Sequence, residues 1–100
     1  MIATIWRFEV RSASVGAFES AYGPHGDWAL LFGRAPGYAG TELLRLGGHD
    51  GVYYTIDRWN SEAEFGAAKR LLADDYAALD RRCEAYTSDE SWLGLSTICD

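Results

Sequence analysis

Residues 2–11, IATIWRFEVR, alternate along the chain: Ile2, Thr4, Trp6, Phe8 and Val10 share one face, and Ala3, Ile5, Arg7, Glu9 and Arg11 share the other. A period of two, built from β-branched and aromatic residues, predicts a strand. The period then changes. Ser12 and Ser14 offer N-cap hydroxyls, and Val15, Phe18 and Tyr22 follow at helical spacing. GPHG at 23–26 interrupts this helix, because glycine and proline both disfavour a helix interior. Asp27 can cap a new start, after which Trp28, Leu31, Phe32 and Ala35 recur at i, i+3, i+4, i+7. APG at 35–37 ends this second piece.

Residues 38–46, YAGTELLRL, predict a second strand, and 52–59, VYYTIDRW, a third. Between them GGHDG at 47–51 carries an Asp-Gly step, a hairpin signal. SEAE at 61–64 has the form of a capping box. Phe65, Ala68, Leu72, Tyr76, Leu79, Cys83 and Tyr86 then step by three or four, which predicts one long amphipathic helix or two pieces bent near Leu72. Residues 91–98, SWLGLSTI, read as a last strand. The order β-α-β-β-α-β is an α+β, ferredoxin-like arrangement: a four-stranded antiparallel sheet with both helices on one face.

The face away from the helices is expected to carry Ala3, Ile5, Arg7 and Glu9. In the third strand Val52, Tyr54 and Ile56 oppose Tyr53, Thr55 and Trp59; in the fourth, Leu93 and Leu95 oppose Trp92 and Ile98. Neither face is polar enough for open solvent. The simplest cover is the same face of a second copy, with Arg7, Glu9, Arg45 and Arg58 pairing across the seam. The alternative is a monomer with a somewhat apolar open face.

One hundred residues read as one domain, 1–100. The formal net charge of −6 repels phosphate backbones, and no basic stripe offsets it, so no nucleic acid and no anionic membrane surface is expected as a partner. The N-terminus lacks a basic region followed by an apolar run, and no stretch is long and apolar enough to span a bilayer, so a cytoplasmic location is expected. Cys83 and Cys99 lie far apart and read as structural thiols.

Four segments together resemble the antibiotic biosynthesis monooxygenase (ABM) domain family of the dimeric α/β-barrel group: IWRFEV, PGYAGTELLR, YYTIDRWNSEAEF and YAALDRRCEAYT. The resemblance covers essentially the whole chain. It implies a homodimer whose sheets form a dimeric α/β barrel, with a pocket between sheet and helices in each subunit. It further implies oxygenation of a small phenolic or quinone-type aromatic by dioxygen, with neither metal nor flavin. The protein then has to hold the ring, take a proton, stabilise an oxyanion and exclude water.

His25, in the break of the first helix, reads as a general base at the pocket rim or as a solvated loop residue. His49, in the hairpin turn, reads as solvated. Trp6, Tyr22, Trp28, Phe32 and Trp59 are the expected substrate-binding walls; an aromatic stripe is more often plain core, and Trp59 reads equally as an anchor of strand to helix. Phe8, Tyr53 and Tyr76 are similar cases. No metal site is expected, since His25 with Asp27 and His49 with Asp50 are isolated pairs. The haem-degrading relatives use an asparagine on the first strand and a histidine on the second helix; both are missing here, so no cofactor is expected. Two other functions fit the same scaffold: a non-catalytic binding or stress-response dimer, and a cyclase or isomerase that needs a base but no oxygen.

Overall fold

The computed structural model describes residues 1–99. β1 (Ile2–Val10) leads through a 3-10 turn at Ser12–Ser14 into α1 (Val15–Tyr22) and α2 (Asp27–Phe32). β2 (Tyr38–Arg45) and β3 (Val52–Trp59) form a hairpin, followed by α3 (Glu62–Leu71), α4 (Ala73–Cys83), a 3-10 turn at Glu84–Tyr86 and β4 (Thr87–Thr97). The sheet order is β2-β3-β1-β4, with every pair antiparallel. This is the ferredoxin-like α+β fold expected from the pattern. β4 begins earlier than its hydrophobic pattern indicates. Its polar start, TSDE, still pairs with Phe8, Glu9 and Val10. An edge strand can be held by backbone bonds while its side chains stay charged.

Three bulges interrupt the alternation, one at Ser88 near the start of β4 and two that bear on the site. In β2, Tyr38 pairs with Trp59 and Gly40 with Arg58, so Ala39 is the extra residue. In β4, Trp92 pairs with Trp6 and Gly94 with Ile5, so Leu93 is extra. Gly40 and Gly94 have φ of 114° and 128°, a conformation side chains rarely tolerate. Strict alternation places Trp92 and Leu95 on opposite faces; the bulge puts both toward the helices. Trp92 there meets Trp6 edge to face at 5.2 Å.

The α1–α2 corner is a close approach of backbone to backbone. A Cβ on Gly26 would lie 2.3 Å from the carbonyl oxygen of Ser20. The two glycines of GPHG are therefore explained by packing, while Pro24 and His25 between them are exposed. Asp27 is the first residue of α2, with Gly26 in the cap position; its carboxylate pairs instead with Arg82. Ser12 and Ser14 form no cap bond. Ser61 does: Glu64 N donates to its Oγ at 3.2 Å, and that hydroxyl donates to Glu64 Oε1 at 3.1 Å. The long helical pattern is two helices, α3 and α4, with Leu72 buried at the step.

The core lies between the sheet and the helices. Phe18 and Trp59 are fully buried, and Phe8, Tyr22, Leu31, Ala68, Leu72 and Cys83 surround them. On the opposite sheet face, Leu44 is exposed beside the half-buried Tyr54 and Ile56. The charges on that face pair within the chain: Arg7 Nη1 lies 3.1 Å from Glu9 Oε2, and Arg58 pairs with Glu42. Among the described residues no helix is long and apolar enough to cross a membrane.

Candidate active site

Pleating sends Thr4, Trp6 and Phe8 of β1 toward the helices. The ladders place Asp57, Thr55 and Tyr53 of β3 beside them, and Thr41 of β2 beyond Asp57. Tyr22 of α1, Trp28 and Phe32 of α2 and Tyr76 of α4 close over this floor. They leave a cavity of about 150 Å³, with Asp80 and Glu90 at its edge. Trp6, Phe32, Asp57 and Tyr76 also wall an adjoining groove of about 280 Å³ that reaches Phe65, Lys69 and Trp92. The roof is aromatic on aromatic: Trp28 meets Tyr76 at 4.9 Å and Tyr22 at 5.9 Å.

Asp57 is 7% exposed in these apolar surroundings. Burial pushes its carboxyl up to about 6, with the hydrogen bond from Thr41 pulling the other way. Thr41 Oγ1 donates to Asp57 Oδ1 at 2.5 Å, and the Tyr38 hydroxyl lies 2.5 Å from the same Thr41 oxygen. The second Asp57 oxygen is left for whatever occupies the cavity. Burial also raises the Tyr22 and Tyr76 phenols, which therefore stay protonated as donors. Glu90 is raised by burial first and then by Asp80, Glu84 and Asp89. The site thus combines an aromatic-walled cavity with polar edges, one buried carboxyl raised to about 6 and neutral phenols able to donate to an oxyanion.

The structure brings four of the sequence-predicted residues together here: Trp6, Tyr22, Trp28 and Phe32 line the cavity. Two stand elsewhere. Trp59 is wholly buried beneath α3, packed on Phe32, Tyr38 and Phe65 at 5.3–5.6 Å. His25 is exposed at the α1–α2 corner, next to the tightly packed Gly26, and lines none of the cavity. Asp57 is the residue that sequence reasoning passed over. Its signal was an acid in VYYTIDRW at the same parity as Tyr53, Thr55 and Trp59, the aromatic-rich row. An acid on a buried face is a stronger sign of chemistry than a histidine in a turn.

A larger groove, about 600 Å³, runs under the glycine-rich turn and holds His49 and Arg45. The glycine-rich turn 47–51 supplies five of its walls, and its one buried titratable group among the described residues, Tyr53, already donates its phenol to Glu19. Among the described residues no group of three His, Cys, Asp or Glu is placed to hold a metal ion. Neither a histidine nor a cysteine lines the aromatic cavity, so it lacks the commonest axial ligands of a haem iron.

The structural neighbours of this fold are antibiotic biosynthesis monooxygenase-type proteins, as the sequence resemblance implies. The chain is similar to SnoaB, a cofactor-independent oxygenase from Streptomyces nogalater, at 26% identity over 99% of this chain and 93% of that one, with a TM-score of 0.77. It is similar in fold to an antibiotic biosynthesis monooxygenase at 12% identity, with 100% of both chains covered and a TM-score of 0.68. It is also similar in fold to a mutant of MhuD with two manganese protoporphyrin IX bound per active site, at 21% identity, over 98% of this chain and 94% of that one, with a TM-score of 0.71. No family model and no curated protein matches the sequence.

Proposed function

We propose that the chain is a cofactor-independent monooxygenase of a small phenolic or quinone-type aromatic. The observation that carries the reading is Asp57: a buried carboxyl, ionising near neutrality, on the floor of an aromatic slot. The likeness to an oxygenase that needs no cofactor supports it.

The rings of Trp6, Trp28 and Phe32 hold a flat substrate and exclude water. Asp57 takes the acidic proton, and Tyr76 donates its hydroxyl to the oxyanion that forms. For an anthrone, the deprotonated ring then gives electrons to dioxygen. One oxygen atom ends in the new carbonyl, and the other leaves as water with the two hydrogens of the ring CH₂. No other oxidant or reductant is required. The base is Asp57 in this reading, with His25 outside the machinery. The apolar open face of the sheet, with Leu44 exposed, supports a homodimer through that face.

The test is oxygen uptake with 1,8-dihydroxyanthrone. The expected result is one dioxygen consumed per anthrone, and a drop of at least about 100-fold in kcat for Asp57→Asn. No uptake by the wild type above the spontaneous rate rejects the oxygenase. Product formation at an equal rate without oxygen assigns the site to an isomerase or cyclase instead.

A further inference from the structure

Asp57 is flanked by a threonine on each side in its row across the sheet: Thr4 on β1 and Thr41 on β2. Both are buried, at 3% and 8% exposure. Only one of them binds the carboxyl. Thr41 donates to it, whereas Thr4, among the described residues, makes no side-chain hydrogen bond to it. The two threonines differ in what stands behind them. Tyr38 rests its phenol on Thr41, and among the described residues no side-chain hydroxyl is hydrogen-bonded to Thr4.

A hydroxyl has one proton to give. Because Thr41 gives its proton to Asp57, the hydrogen bond between Tyr38 and Thr41 has to run from the phenol to the threonine. The phenol occupies the lone-pair side of Thr41 and removes the alternative in which the threonine turns away. This contact exists because of the bulge. Tyr38 and Thr41 are three residues apart, so a regular strand places them on opposite faces; the extra Ala39 puts both on the helix face.

We infer that Tyr38 is a positioning residue of the site: its phenol fixes the Thr41 hydroxyl as a donor to Asp57 and so sets how readily the carboxyl holds a proton. Other ionisable groups face the same space: Tyr22 from α1, Tyr76 and Asp80 from α4, Glu90 from β4, and Lys69 from α3 across the adjoining groove. None of them hydrogen-bonds or ion-pairs with Asp57, so the line through Thr41 is the carboxyl's one directional contact among the described residues. The inference concerns Asp57 in the free protein; its bearing on turnover rests on Asp57 being the base.

The test is a carbon-13 titration of the aspartate carboxyls in the full chain, with Asp57 assigned by Asp57→Asn. Thr41→Val is expected to raise the Asp57 midpoint by about one unit, and Tyr38→Phe by about half a unit. Thr41→Ser, which keeps the hydroxyl, is expected to titrate close to the wild type. Tyr38→Phe keeps the ring that packs on Phe32 and Trp59, so the packing is conserved. Wild-type titration in Tyr38→Phe overturns the inference, and so does a Thr41→Ser curve that coincides with Thr41→Val. In the 1,8-dihydroxyanthrone assay the acid limb of the pH profile is expected to move upward with the same variants. Absence of uptake by the wild type strikes only the oxygenase reading, since the titration still decides on Tyr38.

Discussion

Thr41 Oγ1 and Asp57 Oδ1 lie 2.5 Å apart across the β2–β3 ladder, in a cavity that six aromatic rings line together with Thr55, Asp80 and Glu90. The bond favours the charged form of a carboxyl that its surroundings push the other way. Burial wins, and the group titrates close to the pH at which it would have to act as a base.

The pH profile follows with a definite sign. A carboxylate base works ionised, so kcat/KM with 1,8-dihydroxyanthrone is expected to rise with pH through about 6 and level off above it. Asp57→Asn is expected to flatten this limb as well as lower the rate. A profile that falls across that window contradicts the assignment.

The same group trades stability for chemistry. Its folded value, about 6, exceeds the ordinary 3.8, so the native state binds the proton more tightly than the unfolded chain. Stability from this group is fully present below the unfolded value and is lost as pH rises through the folded one, in all by on the order of 3 kcal/mol. Asp57→Asn removes the charge and keeps an acceptor for Thr41. It is expected to raise the thermal midpoint at pH 8 by about 5–10 °C and to change it little at pH 4. Thermal melts at the two pH values check this.

His25→Ala is expected to leave oxygen uptake within twofold of the wild type and stability within about 0.5 kcal/mol. The side chain is exposed and stands apart from the cavity. A large loss of kcat in this variant returns the histidine to the chemistry.

The two indole groups Trp6 and Trp59 are expected to separate function from stability. Trp59→Ala empties the space under α3 and costs about 3–5 kcal/mol. Trp6→Phe keeps the fold and weakens binding of a hydroxyanthraquinone probe, read as reduced quenching of tryptophan fluorescence. Equal effects on melting in both variants contradict this division.

Two glycines give a paired test of the backbone argument. Gly26→Ala sets a methyl against the Ser20 carbonyl and is expected to destabilise by about 1–3 kcal/mol. Gly16→Ala meets nothing within 4 Å and lies in α1, so it is expected to stabilise by up to about 1 kcal/mol. Denaturant midpoints distinguish them.

Much of this was legible in the amino-acid order. The alternation of Ile2 to Val10, the SEAE box and the stripe from Phe65 to Cys83 each report one local rule, and each element stands where its rule puts it. So do four cavity walls, because aromatic spacing records which face of a helix or strand turns inward. What was hidden depends on relations between strands. Counting by twos separates Tyr38 from Thr41 and Trp92 from Leu95; only the pairing with β3 and β1 shows that one residue too many stands between them. GPHG looked functional for the same reason, since its two glycines serve a contact between backbones that no periodicity records.

The bulge at Ala39 also divides the kinds of genetic change this strand can accept. Ala39 is exposed, and substitution there leaves the strand's phase alone. Deleting it shifts that phase by one: Tyr38 turns to the far side of the sheet while Thr41 and Asp57 stay where they are. At this position it is the number of residues, rather than their identity, that encodes the site.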